Sequence, residues 1–183
     1  FISFGRMSKN PVIRTIVKFY ISVMRGTPLM LQLMVVYFGP YYLFKIKVGN
    51  NYRLWAAFIG FVINYAAYFA EIYRSGIQSM PVGQYEAAKL LGYSKTQTFF
   101  RIIFPQVMKR ILPSVTNEVI TLVKDTSLAR IIAAYELTFA GAAFMKSDGL
   151  TWPLFYTGVF YLIFIGILTL LFGYIERKLD YFK

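Results

Sequence analysis

QYEAAKLLGYSKTQTFFRIIFPQ occupies residues 84–106. It has the pattern of two short amphipathic helices around a glycine, yet it lies between apolar runs long enough to cross a bilayer. Just before it, Pro81 suits a helix start, because a first-turn proline sacrifices no intrahelical bond. Val82 to Leu91 holds good helix formers, and Gly92 stands where a left-handed C-terminal cap belongs. Ser94 followed by Gln97 has capping-box spacing for a second helix, which Pro105 is expected to end. These local signals predict a helix–glycine–helix hairpin over about 76–105. An ordinary helical loop would carry the same signals.

Composition says what solvent surrounds it. The 183 residues are 57% hydrophobic, 19% aromatic and only 15% charged, against about a quarter charged in soluble domains. A net charge of +12 would suit nucleic acid if it lay on one face of a soluble chain. Here the charges fall between apolar runs, which favours a membrane protein and excludes a nucleic-acid partner. Cysteine and histidine are absent. Disulfides, Cys/His metal sites, thiol nucleophiles and imidazole bases are therefore unavailable, and no catalytic residue or metal site is expected. The chain opens on Phe1, and FISFG reads as the tail of an apolar segment. A first span is thus expected to be largely missing from this sequence.

Uncharged runs cover Thr27 to Phe44, Leu54 to Ala70 and Leu150 to Ile175. A fourth, Ile111 to about Ala134, is broken by Glu118, Lys124, Asp125 and Arg130. With the missing first span, the expected fold is an all-α integral membrane protein of about five transmembrane helices plus the hairpin, forming a single domain over 1–183. Arg6, Lys9, Arg14, Lys18 and Arg25 precede the first full span. Arg74, Lys89, Lys95, Arg101, Lys109 and Arg110 flank the hairpin, and Arg177, Lys178 and Lys183 close the tail. Lys45, Lys47, Arg53 and Lys146 lie on the other side. The positive-inside rule then makes hairpin and C-terminus cytoplasmic, with Tyr52 and Trp152 at outer ends. Gly158, Gly166 and Gly173 fall near one helix face, where they either admit another helix closely or are merely tolerated.

The longer spacing carries a resemblance. Glu86-Ala87-Ala88, three residues, Gly92, nine residues and Ile102-Ile103-Phe104-Pro105 resemble the EAA signature of permease subunits of ABC importers, with Phe104 where leucine is usual. RGTP (Arg25–Pro28), AEIYRSGIQSMPVGQYEAAKLLG (Ala70–Gly92) and VKDTSLA (Val123–Ala129) resemble its polar and basic amino-acid branch. The resemblance runs from Arg6 to about Gly141. It implies a multi-pass permease of the bacterial plasma membrane whose hairpin docks in a groove of a separate ATP-binding cassette subunit. ATP and Mg would be bound there, since this chain has no phosphate-binding G-x-x-x-x-G-K-[ST] loop and is not expected to be an enzyme. Glu86, Ala87, Ala88, Leu91 and Gly92 are the implied coupling residues, with Leu90 and Phe99 as further apolar anchors. A second permease chain, expected to be identical, and an extracellular or periplasmic substrate-binding protein complete the implied assembly.

Cargo has to be read elsewhere. Glu118 and Asp125 are seven residues apart, so they share a helix face at about 10 Å along the axis. Thr121 lies between them. Asn64 and Glu71 repeat the spacing on the preceding span, with Tyr65 and Tyr68 close by. Ionisable groups at membrane depth are costly and usually functional, so Glu118, Asp125, Asn64, Tyr68, Thr121 and Glu71 are candidate substrate-pathway residues. Spacing at i, i+3 favours a boundary ion pair with Arg74 for Glu71, and Asp125 is placed to cap a break at Thr126-Ser127. Acids on the route favour a basic amino acid (arginine, lysine or histidine), with glutamine-like polar amino acids as the alternative. A cation channel or a secondary carrier would account for the acids but would not need the hairpin spacing, and a membrane scaffold would have no cavity and no use for Glu118 and Asp125.

Overall fold

The computed structural model describes residues 1–49 and 51–179. Asn50 and the end of the tail, including Lys183, lie outside the described residues. Among the described residues every regular element is helical.

A short helix, α1 (Ile2–Arg6), leads into α2 (Pro11–Gly26). Asn10 caps α2 by accepting from the Val12 N–H at 2.9 Å, and Pro11 fills its first turn. The basic segment before the first full span, read above only for its charge, is therefore a helix. At Gly26–Pro28 the chain turns by 108° into α3 (Leu29–Phe44). The predicted span over Thr27 to Phe44 is this helix, begun at Pro28 and closed by left-handed Lys45.

The central element is α4 (Tyr52–Gln78), long and apolar enough to cross a membrane. Its buried side is built of small residues: Ala56, Gly60, Ala67, Ala70 and Gly76. Small residues bring helices into close van der Waals contact where the hydrophobic effect gives no drive. A β-carbon at Gly60 would lie 2.7 Å from Leu33 Cδ2, and one at Gly76 would lie 2.2 Å from Ile111 Cγ2. α3 and the helix carrying Ile111 both depend on those absences.

Because α4 continues through Gln78, the hairpin opens at Ser79–Pro81. Its helices are α5 (Val82–Leu90) and α6 (Lys95–Thr98). The expectation that Pro105 ends the second helix is overturned. Phe99–Ile103 forms a π turn, with the Phe104 N–H reaching Phe99 O, and α7 (Phe104–Asp125) follows directly. The π turn shifts the register by one residue. Pro105 then falls in the first turn of α7, where its missing N–H goes unused. The predicted fourth run is also divided. Beyond Asp125 the backbone tightens into a 3-10 segment, Thr126–Ile132, and stops at left-handed Ala133. Glu136 caps α8 (Leu137–Asp148) by accepting the Thr138 and Phe139 N–H groups at 2.7 and 2.6 Å.

The final helix, α9 (Trp152–Leu179), is the second element long and apolar enough to span a membrane. Up to four spans result if each of the two bent pairs counts as one, α2 with α3 and the α6–α7 stretch with α8. β-Carbons added at Gly158, Gly166 and Gly173 would meet nothing within 4 Å, so no other part of the described chain uses them for close approach.

Candidate functional site

Two features stand ready for other molecules, and the first is the hairpin. Gly92 has φ +79°, a left-handed conformation that suits glycine. It permits a complete Schellman closure, in which the Tyr93 N–H donates to Ala88 O at 3.0 Å and the Gly92 N–H to Lys89 O at 3.1 Å. The predicted capping box also forms, with Ser94 Oγ accepting from Gln97 N–H and Gln97 Oε1 from Ser94 N–H. Gln84 and Gln106 exchange amide hydrogen bonds of 2.8 Å, which pin α5 to α7. Ala88 is buried inside this unit, whereas Glu86 and Ala87 are exposed. Leu90 is 89% exposed and Leu91 75%. Phe99 differs from the expected role: its ring packs among Phe4, Phe100 and Phe104 and so belongs to the hairpin root.

The second feature is α7. Ser114, Asn117, Thr121 and Lys124 are all exposed, and their spacing places them along one edge of the helix. A polar edge of this kind at membrane depth calls for a water-filled route or another protein rather than lipid. Glu118 is half-buried beside it and has no ion-pair partner among the described residues. Asp125, at the C-terminal end of α7, accepts a 2.7 Å hydrogen bond from the buried Tyr65 hydroxyl. Arg25, from the RGTP segment, stacks 5.3 Å from the Tyr68 ring centroid, and its charge acts on both Glu118 and Glu71. The structure thus brings Glu118, Asp125, Tyr65, Tyr68 and Arg25 around one region where α2, α4 and α7 meet.

The other sequence-derived candidates are engaged differently. Asn64 is buried and donates to Met24 O at 3.2 Å and Gln32 Oε1 at 3.0 Å. Gln32 in turn donates to Met24 O and to both oxygens of Thr27. That network fastens the bend between α2 and α3. Glu71 accepts from Arg74 at 2.6 and 2.9 Å and lies 3.8 Å from Arg6, in the boundary ion pair foreseen as its other role. Thr121 donates to Asn117 O and remains exposed. Gln32 and Arg25 were not singled out as pathway residues. Only Arg25 carried a signal, through the RGTP resemblance.

The Tyr65–Asp125 bond separates charge from hydrogen bonding. Asp125→Asn keeps an acceptor for the phenol, so thermal stability in detergent is expected to hold within about 1 kcal/mol, whereas Tyr65→Phe leaves the carboxylate short of a donor and costs about 1.5–3 kcal/mol. Equal melting temperatures for Tyr65→Phe and the parent would show that this bond does not hold α4 to α7.

An all-helical chain with two helices long and apolar enough to cross a membrane, an exposed helical hairpin and an exposed polar edge on α7 has the features of a membrane transport subunit. The chain belongs to the family of binding-protein-dependent transport system inner membrane components, whose model matches residues 2–181. It is 39% identical over 171 residues to the arginine transport system permease protein ArtQ of Bacillus subtilis strain 168, covering 90% of this chain and 74% of that protein. It is 34% identical over 175 residues to a putative glutamine transport system permease protein GlnP of Rickettsia bellii, covering 95% of this chain and 79% of that one. A crystal structure of an amino acid ABC transporter with histidines superposes with a TM-score of 0.87 at 31% identity, covering 97% of this chain and 82% of that one. These relatives are transport subunits, not enzymes.

Proposed function

We propose that this amino-acid ABC transporter permease forms the route for a basic amino acid between two permease chains, taken to be identical copies. The observation that carries this reading is Glu118: a carboxylate without an ion-pair partner, beside the exposed polar edge of α7. A buried acid is destabilised unless a cation compensates it, and a cationic side chain in transit supplies one. Similarity to an arginine permease supports the same choice.

Arg25, held over the Tyr68 ring, favours a second reading, a glutamine-like cargo. It gives a transported α-carboxylate a cation to meet. In either case the exposed face of α5 docks on an ATP-binding subunit that holds ATP and Mg, with the hairpin and C-terminus on the cytoplasmic side of the bacterial inner membrane. An extracellular substrate-binding protein delivers the amino acid. The whole of 1–183 acts as one transmembrane domain, lipid surrounding its outer faces.

Accumulation of radiolabelled arginine, lysine, histidine and glutamine by ATP-loaded proteoliposomes of the complete complex separates the readings. A basic-amino-acid route gives ATP-dependent uptake of the cationic substrates at least about tenfold above glutamine, a difference of about 1.4 kcal/mol. Glutamine uptake equal to that of arginine would overturn the assignment of basic cargo.

A further inference from the structure

We infer that α2 lies along the membrane surface and binds anionic phospholipid: its outer apolar strip rests among acyl chains while Lys9, Arg14 and Lys18 meet lipid headgroups. The helix has three faces. Val17, Tyr20, Ile21 and Met24 pack inward in a cluster with Ala67 and Ala70 of α4. Val12, Ile16 and Phe19 form a second face, and they are 64%, 62% and 71% exposed. Arg14 and Lys18 form the third, Lys9 is exposed just before the helix, and Arg25 at its far end turns over the Tyr68 ring of α4. At 3.6 residues per turn the apolar strip and the basic strip point about 150° apart. One side of the helix is apolar and uncovered, the opposite side is charged, and the flank between them is fixed to the protein.

The position of α2 agrees with this. α3 runs along α4, with Leu33 over Gly60 and the Tyr52 hydroxyl on Val36 O, whereas α2 departs from α3 by 108° and so crosses α4. The crossing lies at Ile63 to Ala70, where the Tyr20 hydroxyl donates to Ile63 O and Ile21 packs on Ala67 and Ala70. Immediately beyond, on the hairpin side, charge returns to α4 at Glu71 and Arg74. That is the level where acyl chains give way to headgroups. A protein partner would cover either the apolar strip or the basic strip, but an apolar layer under an anionic one meets both together. Basic residues near an anionic leaflet are drawn to it, and Lys9, Arg14 and Lys18 are all exposed on or beside α2. The inference requires a membrane permease but neither the cargo nor the side on which the hairpin lies.

The test uses the complete transporter in nanodiscs. Trp55 and Trp152, the two tryptophans of the chain, are changed to phenylalanine, and Phe19→Trp or, separately, Ile16→Trp becomes the reporter. Acyl-brominated phosphatidylcholine or phosphatidylglycerol is supplied at one fixed mole fraction. Both lipids are expected to quench the reporter, phosphatidylglycerol more strongly by about twofold or above. Lys9→Gln, Arg14→Gln and Lys18→Gln together should remove that excess while leaving the common quenching. Absence of quenching at both reporter positions would place a protein on the strip, a second copy or the ATP-binding subunit, and overturn the proposal. Equal quenching by the two lipids in the parent would overturn its anionic part. Because quenching is read without substrate or ATP, its failure is distinguishable from failure of the transport assignment.

Discussion

ATP-driven uptake is expected to fall more than about tenfold in Gly92→Pro, with the spans still folded and ATP hydrolysis by the partner subunit persisting. A tenfold loss needs only about 1.4 kcal/mol, and the substitution removes two things at once. Proline is confined to φ near −65°, whereas this position has φ +79°. It also lacks the N–H that Gly92 donates to Lys89 O. The Schellman closure therefore opens, and Leu90, Leu91 and Glu86 lose their fixed placement relative to α6 and α7. Gly92→Asn should retain most uptake, since asparagine tolerates the left-handed region. Leu90→Asp separates docking from hairpin geometry: the side chain is 89% exposed, so the fold should not notice the change while coupling weakens. Glu86→Lys reverses the charge offered to the groove and should act in the same direction. Uptake by Gly92→Pro at the parental rate would remove the hairpin from the coupling route.

The hairpin was readable in sequence because its determinants are local. Pro81, Gly92 and the Ser94/Gln97 pair each fix the backbone within a few residues, and the structure realises all three. The change of backbone after Asp125 was only partly readable: Thr126 and Ser127 return their hydroxyls to Val123 O and Lys124 O, but Asp125 makes no capping bond and accepts from Tyr65 instead. Pro105 misled because the rule that proline stops a helix presumes one register, and the π turn over Phe99–Ile103 changes it. α2 stayed hidden behind its charges. Arg14 and Lys18 were counted only for orientation, but they also form one face of a helix with an exposed apolar strip and an apolar packed flank.

Contacts distant in sequence were not readable at all. Nothing local indicates that Asn64 will hold the bend through Gln32 and Met24, 32 and 40 residues away. A polar residue in an apolar span can serve a route or a joint, and the partner decides which. Glu71 illustrates the same point, because Arg74 is close in sequence whereas the Arg6 contact depends on how α1 folds back. Of the three candidate acids, Glu71 takes the ion pairs and Asp125 the Tyr65 hydroxyl, which leaves Glu118 with neither among the described residues. Its meaning comes from what it lacks as much as from its position on α7.

Glu118→Gln is the substitution on which cargo turns. The amide keeps the size and an acceptor oxygen and removes the charge alone. Hydrogen bonds to charged groups contribute about 1.5–3 kcal/mol, so arginine uptake is expected to fall roughly 10- to 100-fold. If Glu118 reads the cationic side chain of the cargo, glutamine as competitor should change little, because it offers no such charge. If instead Arg25 and Glu118 grip the α-carboxylate and α-ammonium common to all amino acids, Glu118→Gln and Arg25→Gln should each weaken every substrate alike. Arg25 stands over the Tyr68 ring, and selectivity divides the two arrangements. Uptake assays with arginine and glutamine side by side supply that division. Parental arginine uptake by Glu118→Gln would take the residue off the route and leave Asp125 as the remaining acid to test.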